Sequence, residues 1–105
     1  DSVTINSGGE KIFAEEVEMA IKAHPAIVDC VVAGRPSQRW GQEVVAVVQI
    51  RPNTVVSEEE LLAEAAKHIA RYKLPKAFVF HDLIVRSPSG KADYRWAKSI
   101  VAPEN

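Results

Sequence analysis

Val44-Val45-Ala46-Val47-Val48-Gln49-Ile50 is an almost unbroken run of β-branched and small apolar residues, and Ile27–Ala33 is a second run of this kind. Such runs are typical of strands that are buried on both faces. The segment between them, Gly34–Gly41, is polar apart from Trp40 and is predicted to be a loop. The sequence therefore predicts two antiparallel neighbouring strands, the second of which spans Glu43–Arg51.

Helices are predicted before and after this strand pair in the chain. Phe13–Ala23 carries apolar residues at helical spacing. Ser57 and Glu60 form a capping-box pattern that starts a helix running to about Arg71. Asp93–Val101 is the last helix, and the short apolar stretches Val3–Asn6, Ala77–His81 and Leu83–Arg86 are predicted strands. The predicted fold class is α+β, a small β-sheet packed with helices in the order β-α-β-β-α-β-β-α.

Composition limits the chain to one modest domain. It has 105 residues, of which 47% are hydrophobic, and a net charge of −1 without a basic block. This argues against nucleic-acid binding, and no apolar run is long enough for a transmembrane segment. The single cysteine, Cys30, lies in a predicted strand and fits a cytoplasmic location. Because Asp1 opens an extended pattern without a methionine, we expect a piece of a longer protein cut at a linker.

The main candidate for chemistry is Lys91, in Arg86-Ser87-Pro88-Ser89-Gly90-Lys91. Turn-forming residues place this lysine at a loop tip, where its charge can meet a phosphate or a developing oxyanion. The motif is not a P-loop, since Val85 and Ala92 stand where a glycine and a Ser or Thr are required. On local residues alone, a solvated turn lysine is the simpler interpretation.

Three other segments could bind a ligand. Ser7-Gly8-Gly9 allows a close approach of backbone or a narrow ligand, although a turn before a helix explains it equally well. Trp40 is more often a lid on a core than a platform for a ligand. Tyr72–Lys76 combines an aromatic with two lysines and is either a solvated helix exit or an anion-binding patch.

Self-sufficient catalytic sites are absent from the sequence. His24, His68 and His81 have no partners at zinc spacing, so we predict no metal site. No Gly-x-Ser-x-Gly element occurs, which argues against a serine hydrolase. Any catalysis must therefore be shared with another domain.

Three motifs in order give a resemblance to a known family. Ser7–Glu18 is similar to the "SGGENIYPAEVE" element of adenylate-forming enzymes, which include acyl-CoA synthetases, peptide-synthetase adenylation domains and luciferases. Trp40–Ala46 resembles their "WGE-VVAVVV" strand, and Ser87–Arg95 resembles their closing "P-T-x-S-G-K-x-x-R" motif. The resemblance covers essentially the whole chain and implies the small mobile C-terminal domain of a two-domain enzyme, with the N-terminal domain missing.

The resemblance also implies a reaction in two steps. A carboxylate attacks the α-phosphate of ATP to give an acyl-adenylate, and the thiol of CoA then displaces AMP. Lys91, supported by Ser89 and Gly90, would serve the first step, and the domain would then rotate. ATP and Mg²⁺ would be bound mainly by the missing domain, and the acid would be a fatty or lipid-like one, as in a bacterial fatty-acyl-CoA synthetase.

The residues implied for the second step lie elsewhere in the chain. Gly8 and Gly9 would line the passage for pantetheine, and the adenine of CoA would stack on Trp40 and Tyr72 with Lys76 near a phosphate. The hinge of the rotation falls by spacing on Ser2, with Asp1 adjacent. Two alternatives stay open: an adenylation domain that loads the phosphopantetheine of a carrier protein, and a non-catalytic α+β binding module.

Overall fold

A three-stranded sheet forms the middle of the computed structural model, which describes residues 3–103. The strands of the domain are β1 Thr4–Ser7, β2 Glu10–Phe13, β3 Ile27–Ser37, β4 Gly41–Ile50 and β5 Ala77–Phe80. The sheet has the order β3-β4-β5, and a separate hairpin of β1 and β2 precedes it in the chain. The helices are α1 Ala14–Lys22, α2 Glu58–Ala65 and α3 Tyr94–Val101, with a 3₁₀ turn at Arg71–Lys73.

The long hairpin of β3 and β4 confirms the predicted antiparallel pair. Val31 faces Val47 and Ala33 faces Val45 across it. β5 joins the other side of β4 in parallel, which is possible because the connection contains α2. β4 is thus the central strand of the sheet.

Helices cover both faces of this sheet, which explains why its strands are apolar without alternation. One face of β3 and β4, including Val32 and Val48, packs in a core with α1 and α2. The opposite face, including Val31 and Val47, packs against α3. The predicted α+β class, a small sheet packed with helices, is confirmed.

The predicted element order is wrong at two points. Ser7-Gly8-Gly9 does not lead into a helix: β1 pairs with Glu10–Phe13, and the helix begins after Phe13. Positive φ angles of 58° at Gly8 and 83° at Gly9 make this the tight turn that suits a two-residue hairpin. Leu83–Arg86 is not a strand, because its only ladder contact is an isolated bridge from Arg86 to Ala92.

Two boundaries also differ from prediction. Gly34–Ser37 belongs to β3 rather than to a loop, and Pro36 is tolerated there because β3 is an edge strand. α2 ends at Ala65 instead of about Arg71. The following turns bring Ile69 and Leu74 against the core.

Among residues 3–103, no helix combines the length and the apolar character that crossing a membrane requires.

Candidate functional site

Lys91 lies at the end of a tight loop between β5 and α3. The Ser87 N–H donates to the Lys91 carbonyl at 2.9 Å, and the Gly90 N–H donates to the Ser87 carbonyl at 2.8 Å. The Lys91 N–H donates to the Ser87 hydroxyl at 3.2 Å, and that hydroxyl also contacts the Ser89 hydroxyl at 3.0 Å. Gly90 has a φ of 84°, which favours glycine. The loop backbone is therefore fixed, while the Lys91 side chain is exposed.

Arg86 attaches this loop to the central sheet. Its Nε and Nη2 donate to the two carboxylate oxygens of Asp29 on β3, at 2.8 and 2.6 Å. Its Nη1 donates to the Gly90 carbonyl at 3.3 Å. Burial raises the pKa of Asp29, but the hydrogen bonds from Arg86 and the Cys30 N–H, together with the charges of Arg86 and Lys22, outweigh burial and lower that pKa overall.

A groove of about 480 Å³, here called the lysine groove, lies between α1 and this loop. It is lined by Glu15, Glu18, Met19, Lys22, Arg86, Lys91, Ala92 and Tyr94. Within residues 3–103, no carboxylate lies within ion-pair distance of Lys91. The charge of Lys91 is thus available to an anion that enters the groove.

Glu18 forms the buried wall of the lysine groove. Its carboxylate accepts the Val32 N–H at 2.9 Å and the Tyr94 hydroxyl at 3.2 Å. Burial raises the pKa of Glu18 despite these bonds. Burial and the neighbouring carboxylate also raise the pKa of Tyr94, so this phenol stays protonated as a donor.

A second groove, here called the tryptophan groove, lies where the turns of the two hairpins meet. It measures about 460 Å³ and is lined by Ser7, Gly8, Glu10, Trp40, Arg71, Tyr72 and Lys76. The Gly8 N–H donates to the Trp40 carbonyl at 2.8 Å. The structure thus brings Gly8, Trp40 and the pair Tyr72 and Lys76 together from three distant parts of the sequence.

Cations surround the aromatic ring of Trp40. The Arg39 guanidinium carbon lies 4.7 Å from the ring centroid and Lys76 Nζ lies 5.0 Å from it. Trp40 is half-buried and Tyr72 is 46% exposed. An apolar ring with positive charges beside it suits a planar, phosphorylated ligand.

The two glycines of the first hairpin differ in their surroundings. A β carbon on Gly8 would lie 2.8 Å from Cε3 of Trp40, whereas one on Gly9 would meet nothing within 4 Å. Gly8 therefore permits contact between the hairpin turns, and Gly9 leaves open space beside them.

Sequence reasoning assigned no role to four charged residues that lie at or near these grooves. Arg39 and Arg71 flank the tryptophan groove, while Asp29 and Arg86 hold the loop of Lys91. Arg71 sits beside the Tyr72–Lys76 patch, and this adjacency was the available signal. The ion pair from Asp29 to Arg86 spans 57 positions and leaves no local pattern. The hinge residues Asp1 and Ser2 lie outside the described residues.

The part of the chain that the structure describes contains no converging group of three His, Cys, Asp or Glu side chains.

The fold and the two open grooves define a small α+β domain with an available lysine rather than an enclosed active site. Comparison with known proteins gives its family: the AMP-binding enzyme C-terminal domain matches residues 16–91. The chain belongs to this family.

Similar proteins agree with that assignment. The chain is 68% identical over 98 residues to medium-chain acyl-CoA ligase Mig of Mycobacterium avium, covering 93% of this chain and 18% of the ligase. It is 55% identical over 97 residues to 3-oxocholest-4-en-26-oate–CoA ligase of Rhodococcus rhodochrous, covering 92% of this chain and 18% of that ligase. A solved fatty acyl CoA synthetase of Mycobacterium tuberculosis superposes with a TM-score of 0.86 at 33% identity, covering 95% of this chain and 20% of the synthetase. The chain thus spans about a fifth of the length of these relatives.

Proposed function

We propose that this chain is the C-terminal domain of an acyl-CoA synthetase that activates a fatty or lipid-like acid with ATP and transfers it to CoA. The observation that carries the proposal is the available Lys91 charge on a fixed, exposed loop of a domain whose relatives are acyl-CoA ligases. ATP and Mg²⁺ would be bound mainly by an N-terminal domain, and this chain alone would be inactive. A cytoplasmic location belongs to the same proposal.

Lys91 acts in the first step of the proposed reaction. Attack of the acid on the α-phosphate brings two negatively charged groups together, and their charge must be balanced where it develops. A lysine with no ion-pair partner in residues 3–103 can supply this charge without first breaking a contact. Ser89 and Gly90 support its loop.

The tryptophan groove serves the second step. Trp40 and Tyr72 offer faces for the adenine of CoA, and Lys76 offers charge for its phosphates. Gly8 lines the same groove, and the open space beside the adjacent Gly9 would leave a path for the narrow pantetheine arm. The Trp40 ring, with the positive charges of Arg39 and Lys76 beside it, favours free CoA over a carrier-protein phosphopantetheine, which has no adenine.

The two grooves share no lining residue, so one placement of the domain need not serve both steps. We propose a rotation about Asp1 and Ser2 that withdraws Lys91 after adenylation and then presents the tryptophan groove.

The test separates the two steps in the full-length enzyme. Lys91→Ala should lower acyl-adenylate formation by roughly 100- to 1,000-fold, the usual size of losing one charge-stabilising group. Thioester formation from pre-made adenylate and CoA should be retained. Lys98→Ala is the matched control, since it removes an exposed lysine that lies on α3 instead of on the loop. It should leave both rates unchanged.

Other outcomes identify the alternatives. Equal activity of wild type and Lys91→Ala in both steps would leave the chain as a non-catalytic module. Failure of wild type to make acyl-CoA from acid, ATP and CoA, with activity restored by a carrier protein, would favour an adenylation domain.

A further inference from the structure

We propose that the ion pair between Asp29 and Arg86 is a positioning device that fixes Lys91 for adenylation. The inference rests on the proposed role of Lys91 and adds two residues to it. Asp29 does not line the lysine groove, and the Arg86 guanidinium is engaged by Asp29 and the Gly90 carbonyl, so both would act through the loop that carries Lys91.

Within residues 86–91, the side chain that links the loop to the sheet is that of Arg86. Bonds among Ser87, Gly90 and Lys91 fix the shape of the loop but not its place on the domain. Arg86 fixes the position of the loop on the domain, because its guanidinium donates to both the Asp29 carboxylate and the Gly90 carbonyl. The bonded carbonyl belongs to the residue directly before Lys91.

Asp29 is a rigid anchor for this contact. It lies on β3, and its Oδ1 also accepts the Cys30 N–H at 2.8 Å. Its side chain is only 17% exposed, against 30% for Arg86. A fork-shaped guanidinium that bonds both carboxylate oxygens fixes direction as well as distance.

Geometry of this kind matters more for the rate than for stability. Even a bidentate ion pair at a partly exposed site is one small part of the folding free energy of a whole domain. A displacement of a catalytic group by about 1 Å can cost roughly 100-fold in rate. Loss of the pair should therefore affect the step that uses Lys91 far more than the step that does not.

The experiment measures both half-reactions in the full-length enzyme for Arg86→Gln, Arg86→Lys and Asp29→Asn. Arg86→Gln should slow adenylation roughly 10- to 100-fold, with thioester formation from pre-made adenylate within about 2-fold of wild type. Arg86→Lys keeps the charge but not the fork, so its loss should be intermediate. The double variant Asp29→Asn/Arg86→Gln should be no slower than Arg86→Gln, because both changes break one contact.

Arg35→Gln provides a matched control. Arg35 donates to Glu43 at 2.7 Å, with side-chain exposures of 28% and 21%, and this pair does not touch the loop of Lys91. The variant Arg35→Gln should therefore have rates close to those of wild type in both half-reactions.

Three results would overturn the inference. One is unchanged adenylation in Arg86→Gln when Lys91→Ala has lost it. Another is an equal fall in both half-reactions, also seen in Asp29→Asn, which marks a purely structural pair. The third is additive losses in the double variant. Unchanged adenylation in Lys91→Ala itself would instead refute the proposed function.

Discussion

Gly8 shows how one missing side chain joins two hairpins. Its φ of 58° already disfavours other residues, and a β carbon would lie 2.8 Å from the Trp40 ring. Gly9 has a similar restriction at φ 83° but open space around it. A comparison of substitutions at the two glycines therefore distinguishes the cost of left-handed backbone from the cost of steric overlap with Trp40.

We predict that Gly8→Ala destabilises the domain more than Gly9→Ala. Left-handed backbone should cost each variant about 1–2 kcal/mol, and the overlap with Trp40 should add about 1–3 kcal/mol in Gly8→Ala only. Denaturant unfolding of the 105-residue chain measures both values.

Trp40→Ala provides the control for that comparison. In this background the excess cost of Gly8→Ala should largely disappear, because the ring that it would meet is gone. An excess that persists without Trp40 would contradict the steric explanation.

At the scale of elements, the tryptophan groove exists because two hairpin turns meet beside residues 71–76, which supply the rest of its lining. Neither turn forms it alone: the first contributes Ser7, Gly8 and Glu10, and the second contributes Trp40. The bond from the Gly8 N–H to the Trp40 carbonyl holds them together.

We predict that Trp40→Ala raises the KM for CoA and leaves adenylation unchanged in the full-length enzyme. Stacking of a base on an aromatic side chain is worth about 1–3 kcal/mol, which corresponds to roughly a 5- to 150-fold change. Steady-state kinetics with varied CoA measure the effect.

Trp40→Phe keeps an aromatic face and should recover much of the affinity. A KM for CoA that does not change in Trp40→Ala would show that the ring does not hold the nucleotide. A loss of adenylation as large as the loss of thioester formation would show that Trp40 serves the fold instead.

Elements with strong local patterns were predictable, and those defined by distant partners were not. The runs in β3 and β4 and the capping box of Ser57 and Glu60 all appear in the structure. β2 was missed because the apolar side chain of Phe13 fits a helical stripe, although Phe13 precedes α1 and is 44% exposed. Leu83–Arg86 has strand-like residues but no ladder on a neighbouring strand.

The same contrast applies to the candidate site. The loop position of Lys91 was predictable because Ser87, Pro88 and Gly90 form a local turn pattern. The meeting of Gly8 with Trp40 and of Asp29 with Arg86 depends on the packing of the whole sheet. Tertiary contacts of this kind leave no trace at short sequence spacing.

At the scale of the whole molecule, Glu18 connects three elements. It lies on α1, accepts a hydrogen bond from Val32 on β3 and accepts another from Tyr94 on α3. The side chain is buried, so the contact also joins the core on one side of the sheet to the helix on the other. This connection carries a charge that burial disfavours.

The raised pKa of Glu18 determines the direction in which the stability of the fold changes with pH. The folded chain keeps the Glu18 proton to a higher pH than the unfolded chain, whose value is near 4.5. Ionisation therefore lowers stability as the pH rises through the folded pKa, and this loss is relieved as the pH falls toward 4.5.

We predict that Glu18→Gln is more stable than wild type at pH 7 and that its advantage shrinks toward pH 4.5. A glutamine oxygen can accept the Val32 N–H and its amide can donate to the Tyr94 hydroxyl, so the contacts survive without the charge. Denaturant unfolding between neutral and acidic pH measures the difference, with Glu59→Gln on the exposed face of α2 as the control. An advantage that grows as the pH falls would mean that the folded state favours the ionised carboxylate, and would reverse the argument.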